Sequence, residues 1–129
     1  QLRHVRMLPN LEAVTAHMAK HRDLLRPKFD VVLETLANEL NVDFGTWNQP
    51  EGGYFLSFDS NPGLASTIIA LAADAGVKLT PAGSAFPYKQ DLQDCNIRLA
   101  PTAPPLAEIT KAIEVFAVCV QLATLNSLV

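Results

Sequence analysis

The sequence predicts an α+β fold, a two-layer sandwich in which a small mixed or antiparallel sheet carries helices on one face. Apolar residues recur at helical steps over a long segment near the beginning and again at the end. The segments between are short, rich in strand formers and punctuated by Gly and Pro. With 129 residues, of which 49% are hydrophobic and 18% charged, the chain is long enough to bury one core. Packing helices on one face is the economical way to cover a small sheet when the elements run α-β-β-α-β-loop-β-α.

The elements follow in order. Residues 1–9 have no clean period, and the opening QLRHVRMLPN reads as the tail of an upstream segment. Pro9 punctuates it, and Asn10 is a good N-cap. From Leu11 through Val14, Met18, Leu25, Phe29, Val32, Leu36 and Leu40 the apolar phase is helical, so residues 10–41 are expected to form one long helix. The phase runs through Pro27, which removes a helical donor and predicts either a bent helix or two nearly continuous ones. Phe44 to Trp47 is a short extended piece, and Tyr54 to Phe58 follows Gly52-Gly53 as a strand. Asn61-Pro62-Gly63 introduces a helix with Leu64, Ile68, Leu71 and Ala75 on one face, ended by Gly76. Val77 to Thr80 is expected as a third strand and Asn96 to Ala100 as a fourth, separated by a long polar loop. A proline-dense turn, Pro101 to Pro105, leads into the last helix.

That helix carries two stripes. Ile109, Ile113, Phe116, Val120 and Ala123 form one, and Val115, Val118, Leu122 and Leu125 form another nearly opposite. A surface helix of a lone domain needs only one apolar stripe, so the second predicts contact with a further domain or a partner subunit.

Composition excludes several classes. A net charge of -3 without clustered Lys and Arg argues against a nucleic-acid surface. No apolar run approaches a membrane span and no signal peptide is visible, so a cytoplasmic protein without membrane or nucleic-acid partners is expected. Cys95 and Cys119 have no metal spacing and read as reduced thiols.

Few residues suggest chemistry. His17 and His21 stand at i, i+4, but the glutamate of a helical zinc motif and a third ligand are both missing, so no metal site is expected. Gly52-Gly53 lacks the further glycines of a phosphate loop. Asp91 and Asp94 read as a solvated loop beside Lys89. Arg98 is different, because Ile97-Arg98-Leu99-Ala100 is an apolar strand and a guanidinium there needs a partner. Residue type alone leaves two readings open: a structural arginine facing outward, slightly favoured, and one that grips a ligand with its planar fork.

HMAKHRDLLRPKFDVVLETLANEL, EGGYFLSFD, AGVKLTPAGSAFPY and NIRLAPTAPPLAEITKAIEVFA, in this order, resemble the small domain of fold-type-I pyridoxal-phosphate (PLP) aminotransferases. HMAKHRDLLRPKFDVVLETLANEL resembles the helix linking their large and small domains. EGGYFLSFD matches a P-x-GG-x-F strand through Pro50, Gly52, Gly53 and Phe55. AGVKLTPAGSAFPY resembles an AGV-x-x-x-PG-x-x-F stretch, with Ala82 where many members have Pro. NIRLAPTAPPLAEITKAIEVFA resembles the arginine-bearing strand and closing helix, and the wording is nearest a bacterial alanine–glyoxylate or aspartate aminotransferase-like subgroup.

The resemblance implies that residues 1–129 form a single C-terminal small domain, with the large PLP-binding domain upstream of Gln1. It implies a parent enzyme, a homodimer that moves an amino group between an amino acid, aspartate or glutamate by the subgroup wording, and a 2-oxo acid. PLP would serve that parent, held by a lysine and tuned by an aspartate of the large domain. Lys20, Lys28, Lys78, Lys89 and Lys111 match no such motif, so this segment alone is expected to bind no cofactor, to carry no catalytic residue and to be inactive. Arg98 carries over as the clamp on the substrate α-carboxylate, and Phe86 as part of the pocket wall. A second cation for a distal carboxylate would come from Lys89, the large domain or the partner subunit. Two other functions compete with this one: a stand-alone amino-acid-binding regulatory module using Arg98, and an assembly domain using the two-striped helix.

Overall fold

Asn10 turns the chain into its dominant element. Its side-chain Oδ1 accepts a hydrogen bond from the Ala13 backbone N–H at 2.8 Å, satisfying one of the unpaired donors of a helix start. The computed structural model describes residues 1–129. A short helix α1 (Leu2–Met7) comes first, where the sequence showed no clean period, and the capped helix α2 (Leu11–Glu39) follows. Of the two forms expected around Pro27, the unbroken one is found. Only Val32 and Leu36 of α2 are buried, while Leu11, Met18 and Leu24 on its first half lie exposed.

Three strands follow: β1 (Gly45–Trp47), β2 (Leu56–Ser60) and β3 (Asn96–Leu99). They form one sheet in the order β1-β2-β3, antiparallel throughout. Helix α3 (Ala65–Asp74) joins β2 to β3, and helix α4 (Leu106–Ser127) closes the chain. The core lies between the sheet and the helices, where α4 packs against both α2 and α3. Phe58 is fully buried there, with its ring edge-on to Phe116 at 5.2 Å and stacked on Trp47 at 6.1 Å. Gly45 is required at the edge of this cluster, since a Cβ there would come within 2.6 Å of the Phe58 ring and 2.7 Å of the Asp59 carbonyl.

Three expectations need correcting. Val77 to Thr80 is not a strand. Its first donor is spent on the α3 terminus, where the Val77 N–H reaches the Ala72 carbonyl at 2.7 Å beside Gly76 at positive φ. Pro81, just beyond the segment, has no donor, and a single side-chain bond from Thr80 Oγ1 to the Arg98 carbonyl at 2.5 Å ties it to β3. The second strand lies two residues later than the run of aromatics suggested, because Tyr54 and Phe55 precede the ladder. The buried face of α3 is Ala65, Ile68 and Ala72, rotated from the one built on larger side chains; Leu64 and Leu71 are only partly buried. The first stripe of α4 is buried as expected, and in the second Val118, Leu122 and Leu125 are exposed and Val115 is half-buried.

Candidate functional site

Strand alternation sorts β2 and β3 into two faces. Leu56, Phe58, Ile97 and Leu99 point to the core, and the residues between them point away from the helices. On that outer face Ser57 stands opposite Arg98 and Asp59 opposite Asn96. Phe55, one step before β2, continues the same side.

Arg98 is half-buried and has no ion pair; the two salt bridges of the molecule, Arg22–Asp23 and Arg26–Asp30, both belong to α2. The Arg98 guanidinium carbon sits 4.6 Å from the Phe55 ring centroid, so one flat face of the group is covered by the aromatic ring. Its Nε is buried and makes no hydrogen bond. An unpaired buried donor costs about 1–3 kcal/mol and is rare in folded proteins. The guanidinium makes no ion pair or hydrogen bond within the chain, so its donors are unspent.

The backbone on either side of Arg98 is held firmly. The proline turn after it is braced by Lys28 Nζ, which donates to the Thr102 and Pro104 carbonyls, both at 2.7 Å. The loop before it is organised by two carboxylates. Asp91 accepts from the backbone N–H groups of Gln93, Cys95 and Asn96, and these bonds, the Asn96 one foremost, hold its carboxyl below the usual aspartate range. Asp94 bonds the Ser66 backbone N–H at 3.1 Å and the Ser66 hydroxyl at 2.7 Å, capping α3 from another part of the chain. Both aspartates, expected as solvated loop residues, therefore have structural duties. Burial pushes the Cys95 and Cys119 thiols up, and both are free.

The other candidates are placed as follows. Phe86 is 40% exposed at the tip of the Gly83–Lys89 turn, and the aromatic ring against Arg98 is that of Phe55. Phe55 stood in the quoted strand motif without a role; the missing signal was its diagonal position across the ladder from Arg98. His17 and His21 face each other with Nε2 atoms 3.1 Å apart, and no group of three potential metal ligands gathers around them. Lys20, Lys78, Lys89 and Lys111 are exposed, and Lys28 is spent on its two carbonyls. Lys89 lines a shallow cavity together with Asp91 and Asp94, whose carboxylates do not suit the phosphate of PLP. An open groove of about 700 Å³ runs between the Thr15 to Leu33 stretch of α2 and the Pro50–Tyr54 loop; Arg98 does not line it. No helix is long and apolar enough to cross a membrane.

A sequence model of the family described as aspartate amino-transferase matches residues 1–129. The chain belongs to the aspartate aminotransferase family. It is 46% identical over 125 residues to a protein of Corynebacterium glutamicum named aspartate aminotransferase, covering 95% of this chain and 29% of that one. Among solved structures, an aspartate transaminase from Corynebacterium glutamicum superposes with a TM-score of 0.93 at 43% identity, covering 98% of this chain and 30% of that one. A kynurenine aminotransferase from Pyrococcus horikoshii, solved in complex with PMP, superposes with a TM-score of 0.72 at 26% identity over 84% of this chain and 26% of that one. The chain spans about 30% of the length of the curated relatives it matches. The mixed fold with a small sheet is that of aminotransferase-family structures, as the resemblance implied.

Proposed function

We propose that this chain is the small domain of a longer PLP-dependent aminotransferase and that Arg98 grips the α-carboxylate of its amino-acid and 2-oxo-acid substrates. The observation that carries the reading is the Arg98 fork itself, stacked on Phe55 with a buried, unpaired Nε. A carboxylate accepting from Nε and one Nη would satisfy that donor and pair the charge in one step. Bidentate contact also fixes the plane of the carboxylate and hence the direction of the bonds at the substrate α-carbon. This is a positioning contribution, and the electron-withdrawing chemistry belongs to the cofactor.

The remainder of the assignment rests on the family and on what this chain leaves uncovered. The cofactor lysine is assigned to the rest of the longer protein, which leaves this segment inactive alone. Phe86 is proposed to wall the substrate pocket. A dicarboxylic substrate, aspartate or glutamate, would need a second cation from Lys89 or from outside this segment. The exposed Val118–Leu122–Leu125 stripe of α4 and the bare first half of α2 are surfaces for the large domain or a partner in a cytoplasmic homodimer.

The test uses the full-length protein. Arg98→Lys keeps the charge and loses the fork, and should lower kcat/KM for amino acids by about 30-fold or more, mostly through KM. Full-length protein should show PLP absorbance, whereas the 129-residue chain mixed with PLP should not. An unchanged KM in the Arg98→Lys enzyme would remove the assignment.

A further inference from the structure

Arg98 has two diagonal neighbours across the ladder. Ser57 is directly opposite, and Phe55 and Asp59 lie two residues to either side of it on the same face. Diagonal side chains in a sheet are about 7–8 Å apart at their origins, within reach of a side chain as long as arginine. One neighbour is an aromatic ring and the other a carboxylate, the ordinary partner of a guanidinium. Arg98 nevertheless lies on the ring, and no ion pair joins it to Asp59.

Asp59 is engaged elsewhere. The Asn96 side-chain amide donates to Asp59 Oδ1 at 2.7 Å and to the Ser57 hydroxyl at 2.8 Å. Those two bonds use both protons of the amide, whose backbone is itself pinned by the Asn96 N–H to Asp91 Oδ2 bond at 2.8 Å. The amide therefore ties Oδ1 of the carboxylate diagonal to Arg98 to the register position directly opposite it.

We propose that Asn96 is a positioning residue that occupies Asp59 and so keeps the Arg98 fork free for a ligand carboxylate. Without it, Arg98 would close onto Asp59, and an incoming carboxylate would have to displace an internal one. The inference rests on the reading of Arg98 as a carboxylate clamp, but the Arg98–Asp59 contact can be measured without any substrate.

The experiment follows the exchange of the Arg98 Nε–H with water by NMR in the full-length protein without substrate. Asn96→Val keeps a strand-forming side chain and removes both donors. It should slow Arg98 Nε–H exchange by about fivefold, the scale of a partly exposed ion pair. Adding Asp59→Asn should return the rate to that of the parent chain, which also shows that the Asn96→Val background folds. An unchanged rate in Asn96→Val overturns the proposal, and so does slowing that persists in the double variant, since Asp59 would then not be the acceptor. In the full-length enzyme the same single substitution should raise KM for the amino acid with kcat nearly unchanged, and the double variant should restore it. If Arg98→Lys leaves KM unaltered, the clamp reading fails, while the exchange measurement still decides whether Asn96 keeps Asp59 away.

Discussion

The two faces of the β2–β3 ladder share one backbone and do opposite things. The inner residues Leu56, Phe58, Ile97 and Leu99 are at most 5% exposed and lie under helices. The outer residues are polar: Ser57, Asp59 and Asn96 are joined by side-chain hydrogen bonds, and the Arg98 guanidinium is left out of them. A shift of register by one residue would exchange the two sets, so the core that stabilises the sheet also fixes where the polar face points. Stability is concentrated on one side, and the unspent binding capacity on the other.

Breaking the inner face should have the largest effect. Phe58→Ala removes the ring that touches Trp47 and Phe116 at the centre of the core. A loss of about 3–5 kcal/mol is expected in urea denaturation. A loss under about 1 kcal/mol would mean that the cavity collapses freely and that the inner face is not the main support.

Between the faces in magnitude lies the loop that carries Phe86. Gly83 has φ +75°, and a Cβ there would strike the Lys89 backbone carbonyl. Gly83→Ala should therefore destabilise by about 1–3 kcal/mol. Gly52→Ala, where a Cβ meets nothing within 4 Å, is the control and should be near neutral. Thermal melts of the two variants side by side check this, and equal melting temperatures would show that the Gly83 turn simply relaxes.

The sequence made much of the inner face legible and little of the outer. Helical steps in α2 and α4 announced the long helices, and the run of strand formers from Tyr54 to Phe58 announced a strand that begins two residues later. The expected strand at Val77 to Thr80 failed because pairing depends on where donors go, and the α3 terminus and Pro81 withhold them. On the outer face, Arg98 stood out because a charge sat between apolar neighbours. Two of its neighbours could not be seen, since Phe55 and Asp59 reach its face only through the register of strands separated by more than thirty residues. The duty of Asp94 was hidden for the same reason, since Ser66 lies 28 residues earlier; Asp91 closes a local turn onto Gln93, Cys95 and Asn96, a pattern that an aspartate in a loop can signal.

A smaller effect should come from the acid side of the loop leading to β3. The Asp91 carboxyl is held below its ordinary value by backbone N–H donors, so it adds stability above the unfolded aspartate range near pH 4. That contribution should fade as pH falls through the lower folded value. Asp91→Asn should flatten this part of the stability–pH curve and leave its shape above about pH 5 unchanged. Urea midpoints measured across the acid range provide the check, and a variant that keeps the full acid slope would assign the slope to other carboxylates.

The smallest expected change in stability sharpens the comparison most. Arg98→Met keeps a long side chain to lie against Phe55 and deletes the buried donor that has no partner. Removing a group that is desolvated without compensation should leave stability unchanged or raise it by up to about 1 kcal/mol. The same substitution in the full-length protein should abolish useful affinity for the substrate carboxylate. A residue that is indifferent or harmful to folding and indispensable to binding is what a preorganised ligand group looks like, since its unpaired state in the free protein is sustained by the rest of the fold. If Arg98→Met instead destabilised the chain by more than about 2 kcal/mol, Arg98 would have a structural partner after all, and the division of labour between the two faces would not hold.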